Sequence, residues 1–171
     1  MKADVSTETT LVPQAVVSEL TRQITLERSS SAFYVLMSSV LDNMNWPGFS
    51  KWCWNAAHDD RKDADKILKY LSMRHTQVAI EAVPQPPDPP RDLLQMFSMA
   101  LEHEKAVTAS VNSISQLALT SGDHATYHFL RKYIKSQLKE ESSVQDVVAQ
   151  LVIAGDNSSA LLHVDHRIKR L

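Results

Sequence analysis

Six side chains able to ligate a metal recur at helical spacing in four separate stretches of this chain: Glu27, Asp60 with Asp63, Glu104, and Gln137 with Glu140. Residues three apart share one face of an α-helix, so each of the two pairs points both members the same way. One carboxylate from each of two helices and an i, i+3 pair from each of two others is the ligand distribution of a dinuclear metal site inside a four-helix bundle. Such a pair usually reads Glu-x-x-His, whereas here the first reads Asp60, Arg61, Lys62, Asp63. A bridging carboxylate must reach two ions roughly 3.5–4 Å apart, and Asp is one methylene shorter than Glu. Asp63 also exchanges a neutral nitrogen donor for an anionic oxygen. An all-oxygen set favours hard cations such as Fe(III), Ca or Mg over Fe(II) or Zn. Without a cation the clustered carboxylates repel one another, and some of them should hold protons.

Positioning such a set requires long helices, and the chain permits them. Gly occurs only at positions 48, 122 and 155, and Pro is missing between Pro47 and Pro84 and again after Pro90. Apolar periodicity predicts helices over residues 13–41, 49–74, 91–120, 125–154 and, short and last, 159–170. In the first, the stripe is Val16, Val17, Leu20, Ile24, Leu26, Tyr34, Leu36, Met37 and Val40; in the second it is Trp52, Ala56, Ala57, Ile67, Leu68 and Leu71. Residues 43–48 read as a turn, while Gly122 and Gly155 stand where helices three and four should end. Pro84, Pro86, Pro87, Pro89 and Pro90 forbid helix over residues 80–90 and favour extended backbone.

These connections specify the wiring. Short turns make helices one and two, and three and four, antiparallel neighbours. The long link between the pairs can run the length of a helix, which gives an all-α four-helix bundle with one long crossover and a fifth C-terminal helix. Residues 1–12 read as a polar extension and 13–171 as a single domain of this ferritin-like type.

Composition removes several classes of function. The formal charge of −2 and the lack of any basic run beyond Arg131-Lys132 or Lys169-Arg170 leave no electrostatic footprint for nucleic acid. No apolar stretch approaches the roughly 20 residues of a membrane span, and the start of the chain lacks the apolar core of a secretory signal. A cytoplasmic protein is expected. The single Cys53 permits no intrachain disulfide and reads as a buried thiol. Met37, Met73, Met96 and Met99 read as core packing. His58, His103, His124, His128, His163 and His166 read as surface or interface residues rather than ligands.

The chain resembles the non-haem ferritins, and the prokaryotic ones more than the animal ones, from Glu19 to Ile168. The likeness rests on the run Arg22 to Tyr34, on Gly48-Phe49 with Trp52, on the run Ala100 to Thr108, on Gly122-Asp123 with Thr126 and Phe129-Leu130, on Gln137 with Glu140-Glu141, and on Ala154-Gly155. The ligand intervals, 33, 44 and 36 residues from Glu27 through Asp60 and Glu104 to Glu140, resemble those of bacterial ferritins without insertion or deletion.

The resemblance implies that Glu27, Asp60, Asp63 and Glu104 occupy the dinuclear ferroxidase positions, with Gln137 and Glu140 beside the second metal. Tyr34, two turns beyond Glu27, matches a tyrosine that acts as an electron donor and is the one catalytic candidate. Asp60 replaces the bridging Glu, and Asp63 the His that ligates the first iron. Asp59 and Glu140 suit an outer third-iron site, but Ser136 and Lys139 replace its carboxylates, so that site is expected to be lost. Haem is not expected, because Arg61 stands where haem-binding relatives have Met.

Three functions come into question for such a chain. The expectation is an iron-storage cage subunit that holds a ferric mineral, with a weakened ferroxidase site and co-assembly with a ferroxidase-competent ferritin chain as a means of compensation. The alternative is a fully active ferroxidase that oxidises Fe(II) with O2 or peroxide. A DNA-protecting mini-ferritin is disfavoured by the fifth helix, the lack of a basic tail and the complete ligand set within one subunit. The implied assembly is a homo-oligomer of 24 subunits.

Overall fold

The computed structural model describes residues 11–168, so most of the 1–12 extension and residues 169–171 lie outside the described part. Helix α1 spans Gln14–Asn43, α2 Pro47–Met73, α3 Leu93–Thr120, α4 His124–Ala154 and α5 Ser158–Ile168; no strand occurs among the described residues. α1 packs along α2 and α3 along α4, each pair joined by three residues, while residues 74–92 carry the chain between pairs. The all-α bundle with one long crossover is therefore as the sequence predicts.

The helix ends explain where the chain turns. α1, α2 and α3 each finish in a residue with positive φ, Asn45 (62°), His75 (50°) and Gly122 (73°). Each such residue donates its N–H to a carbonyl three positions back, and the next residue donates to one five back, as in Trp46 N–H to Leu41 O at 2.9 Å and Asp123 N–H to Ala118 O at 2.9 Å. That is the Schellman closure, which satisfies carbonyls the helix itself leaves open. At the other ends, Asp92 accepts from Gln95 N–H at 2.7 Å and Asp123 from Thr126 N–H at 3.2 Å.

Two boundaries differ from the sequence reading. Pro47 and Gly48, expected in the turn, open α2, because a proline at the first helical position loses no hydrogen bond there. Arg91 and Asp92 precede α3, with Asp92 as its cap.

α5 reaches back to α2. The Phe49 N–H donates to Asp165 Oδ1 at 2.9 Å, so a buried aspartate on the last helix caps the start of the second. The approach requires Gly48: a Cβ there would lie 1.7 Å from the Asp165 carbonyl oxygen.

The interior comprises two apolar clusters. One gathers Phe33, Met37, Phe49, Phe97, Val147 and Leu151 toward the α5 end; the other gathers Leu20, Ile24, Ile67, Leu71, Ile114 and Leu130 toward the opposite end. In α1, Glu27 falls between Ile24 of one cluster and Phe33 of the other, and in α2 Asp60 and Asp63 fall between Ala57 and Ala64. A polar layer thus interrupts the core at the level of the candidate ligands. Cys53 is buried in the first cluster, as expected. Met37 and Met96 are fully buried and Met99 half-buried, but Met73 is 64% exposed because it sits in the last turn of α2, beyond the covered stretch.

Candidate metal centre

Each of the four long helices sends one inward face to the polar layer. Glu27, Asp60, Asp63, Glu104 and Gln137 are all buried, none more than 6% exposed, and Glu140 is half-buried at the margin. Water is largely excluded from five ionisable or amide groups at once, and so their partners decide their state.

Glu104 is held from two sides. Tyr34 donates its hydroxyl to Oε1 at 2.6 Å, and the Gln137 amide donates to Oε2 at 2.8 Å. Glu27 accepts from the Gln23 amide at 2.6 Å, and Ser110 in turn donates to Gln23 Oε1 at 2.6 Å. Ser136 donates to Glu140 at 3.0 Å, and the Lys66 ammonium pairs with Asp63. Asp60 differs. Its Oδ2 is buried with no hydrogen-bond partner, although Glu104, Glu27, Glu140 and Asp63 all bear on it electrostatically. The Tyr133 hydroxyl, beside Glu27, likewise lacks a partner of regular geometry.

The electrostatics follow from burial. Desolvation raises Glu27 to about 8 against the hydrogen bonding of Tyr133 and Gln23. It raises Glu140 to about 7, with Asp63 adding repulsion. Desolvation, reinforced by Glu104 and Glu27, holds Asp60 well above the usual carboxylate range. Asp63 is raised by burial, with Lys66 opposing, and Glu104 by burial, with Tyr34 and Gln137 opposing. Tyr34 is raised well above 10.0 by burial and by Glu104, so its hydroxyl remains a donor at neutral pH. Without a cation the layer is a set of partly protonated acids, as the sequence led us to expect.

A 140 Å³ cavity opens beside the layer, lined by Trp52, Asn55, Asp59, Asp60, Glu104, Glu140 and Ser143 among others. The residue with the unpartnered carboxylate oxygen, Asp60, thus lies at the wall of a cavity. Among the described residues no three acidic, His or Cys side chains converge tightly enough to share one ion.

A ferritin-like domain model matches residues 17–153. The chain belongs to that family. It is 28% identical over 161 residues to the bacterial non-heme ferritin of Campylobacter jejuni, covering 94% of this chain and 96% of the relative. A probable bacterial non-heme ferritin-like protein of Haemophilus influenzae is 25% identical over 161 residues, covering 94% and 98%. Among solved structures, the open-pore ferritin of Archaeoglobus fulgidus superposes with a TM-score of 0.90 at 32% identity, covering 92% of this chain and 96% of that one. A humanized archaeal ferritin does so at 0.90 and 30%, covering 92% and 97%. This is a prokaryotic-type ferritin, a subunit of the iron-storage kind.

Within this ferritin, several residues of the layer carry no mark in the ligand pattern. Gln23 lies one turn before Glu27 and Tyr133 one turn before Gln137, so i, i+4 spacing from a ligand would have found both. Lys66 is three residues beyond Asp63 and was detectable as an ion-pair partner. Ser110 carries no such signal, because its role depends on how α3 packs against α1. Asp59, an outer-site candidate, is exposed and pairs with Lys62 at 2.8 Å. His58, His124, His128, His163 and His166 are exposed, while His103 is half-buried, bonded to Ser30 and lowered by burial. No helix among the described residues is long and apolar enough to cross a membrane.

Proposed function

We propose that this ferritin subunit takes up Fe(II), binds it in the carboxylate layer and stores it as a ferric mineral inside a closed homo-oligomeric shell. Oxidation at the layer is slowed by Asp60 and Asp63. The observation that carries this reading is the unpartnered Oδ2 of Asp60, a buried acceptor on which the charges of Glu27, Glu104, Glu140 and Asp63 bear. A buried acceptor without a donor is costly, and a cation supplies the missing partner.

The donors fit iron as substrate and cargo. Glu27, Asp60, Asp63, Glu104 and Glu140 offer oxygen, Gln137 an amide, and the layer has no imidazole, which shifts preference toward Fe(III) once iron is oxidised. Oxidation passes one electron from each Fe(II) to O2 or peroxide. Tyr34, in hydrogen-bond contact with Glu104, is placed to supply an electron. The short Asp60 side chain and the lost nitrogen at Asp63 weaken the bridged arrangement, and a ferroxidase-competent partner chain in the same shell would compensate. No haem is needed, and a cytoplasmic setting suits the chain.

Exposed Ile153 and Val152 at the end of α4 and Leu162 on α5 support assembly, since a lone subunit would leave them in water. An anaerobic Fe(II) titration followed by oxygen tests the function. Saturable binding with slow appearance of ferric absorbance is expected. No binding overturns the reading, and a fast oxidation burst replaces it with the fully active ferroxidase.

A further inference from the structure

The carboxylate layer has one built-in cation. Lys66 lies one turn beyond Asp63 on α2 and ion-pairs with its Oδ1. Its ammonium also feels Glu140 and Asp59, so it faces the margin of the layer rather than bulk solvent alone. The two ends of this pair are unequal: the Asp63 side chain is 4% exposed and that of Lys66 57%. Among the described residues no other hydrogen bond to that carboxylate occurs, while the lysine side chain is more than half in water.

The other carboxylates of the layer are held by neutral groups. Tyr34 and Gln137 hold Glu104, Gln23 holds Glu27, and Ser136 holds Glu140. Neutral donors orient an oxygen without competing for its charge, and a metal ion can bind the remaining lone pairs. An ammonium instead claims the position and the charge that a metal would use.

We infer that the Lys66 ammonium is a tethered cation standing in for one metal ion beside Asp63, so that the layer binds one Fe(II) tightly and a second only when Lys66 swings out. The inference rests on the reading of the layer as a metal site and adds a determinant of its stoichiometry. Lys66 is a positioning residue here, since it acts through Asp63. Because the Lys66 side chain is more than half in water, a divalent ion can displace the ammonium at higher concentration. Lys62 provides a comparison, because it is hydrogen-bonded to the exposed Asp59 and acts on Asp63 only through space, without the direct contact that Lys66 makes.

The test is calorimetric titration of chelator-stripped, assembled protein with Fe(II) under anaerobic conditions. The parent should bind one equivalent per chain in the tight step, and Lys66→Met and Lys66→Ala two, the second at least about tenfold tighter than in the parent because an opposing charge within hydrogen-bonding range shifts ionic equilibria by that order. Lys66→Arg, which keeps the charge, should remain at one, as should Lys62→Ala. Two tight equivalents in the parent, or one in Lys66→Met and Lys66→Ala alike, overturn the assignment of Lys66 while leaving the metal centre standing. No tight binding in any variant overturns the metal centre itself and this inference with it.

Discussion

The Tyr34 hydroxyl on α1 donates a 2.6 Å hydrogen bond across the bundle to Oε1 of Glu104 on α3, whose other oxygen accepts from Gln137 on α4. One carboxylate thereby links three helices at the centre of the core, with both oxygens oriented before any metal arrives. Tyr34→Phe removes the donor and leaves a buried oxygen unpaired. That should cost about 1–3 kcal/mol, seen as a lower urea midpoint in chelated protein, and should slow Fe(II) oxidation. An unchanged midpoint would mean that the bond contributes nothing net.

The raised carboxylates set a pH dependence. Glu27, near 8 in the folded state against 4.5, and Asp60, held well above the usual carboxylate range by burial and its acidic neighbours, retain protons that the unfolded chain has released. In that range the folded state binds more protons, so stability should fall as pH rises from about 5, with the contribution of Glu27 fully lost only above about 8, at about 1.4 kcal/mol per unit per group as an upper limit. A bound cation removes the repulsion and adds its binding free energy. Chelated protein should therefore melt below Fe(III)- or Ca-loaded protein at pH 7.5, with the gap closing toward pH 5. Equal melting temperatures at pH 7.5 would show that the layer holds no metal.

Restoring the longer bridge and the nitrogen donor separates the two readings of the site. Asp60→Glu combined with Asp63→His should speed Fe(II) oxidation by on the order of 10- to 100-fold, the size of effect that changes around metal ligands commonly produce. Stopped-flow ferric absorbance after oxygen addition reads the rate directly. No acceleration would place the limiting step elsewhere.

How far the sequence reached depended on whether a feature was local. Helical period, Gly122 at a helix end and the proline-rich crossover are carried by short stretches, and they appeared as read. Asn45 and His75 close two helices with positive φ yet carry weaker local signals than glycine does. The ligand-bearing faces of α2 and α4 were legible from i, i+3 spacing, and Glu27 and Glu104 from their intervals to those pairs, but the Ser110–Gln23–Glu27 chain was not, since it is created by α3 meeting α1. The short last helix shows the same limit. From the sequence alone Ala160, Leu161, Val164 and Ile168 read as a face that needs a partner subunit, but Val164 and Ile168 are already buried within the chain, and the large apolar side chains exposed near this end of the bundle include Leu162, Val152 and Ile153.

Ile153, 86% exposed at the end of α4, and Leu162, 58% exposed on α5, should lie at contacts between subunits. Sedimentation of the parent should give a shell of 24 subunits. Ile153→Asp with Leu162→Asp should shift it toward smaller species with unchanged helicity, because buried charge without a partner is costly. A stable monomer or dodecamer in the parent at micromolar concentration would refute the shell.

The cap between α5 and α2 offers two substitutions with different expected severity. Asp165→Ala removes the acceptor for the Phe49 N–H while leaving the helices in place, and should cost about 0.5–2 kcal/mol. Gly48→Ala acts by collision instead: its Cβ would lie 1.7 Å from a backbone oxygen of α5, and the backbone cannot yield as a flexible side chain would. α5 should then detach from α2, exposing Val164 and Ile168 and breaking the cap together with its packing. Hydrogen exchange distinguishes the cases. In Asp165→Ala the amides at the start of α2 should lose protection while α5 retains its own, whereas in Gly48→Ala both segments should exchange quickly. If Gly48→Ala left α5 as protected as in the parent, the close approach would not be what holds that helix in place.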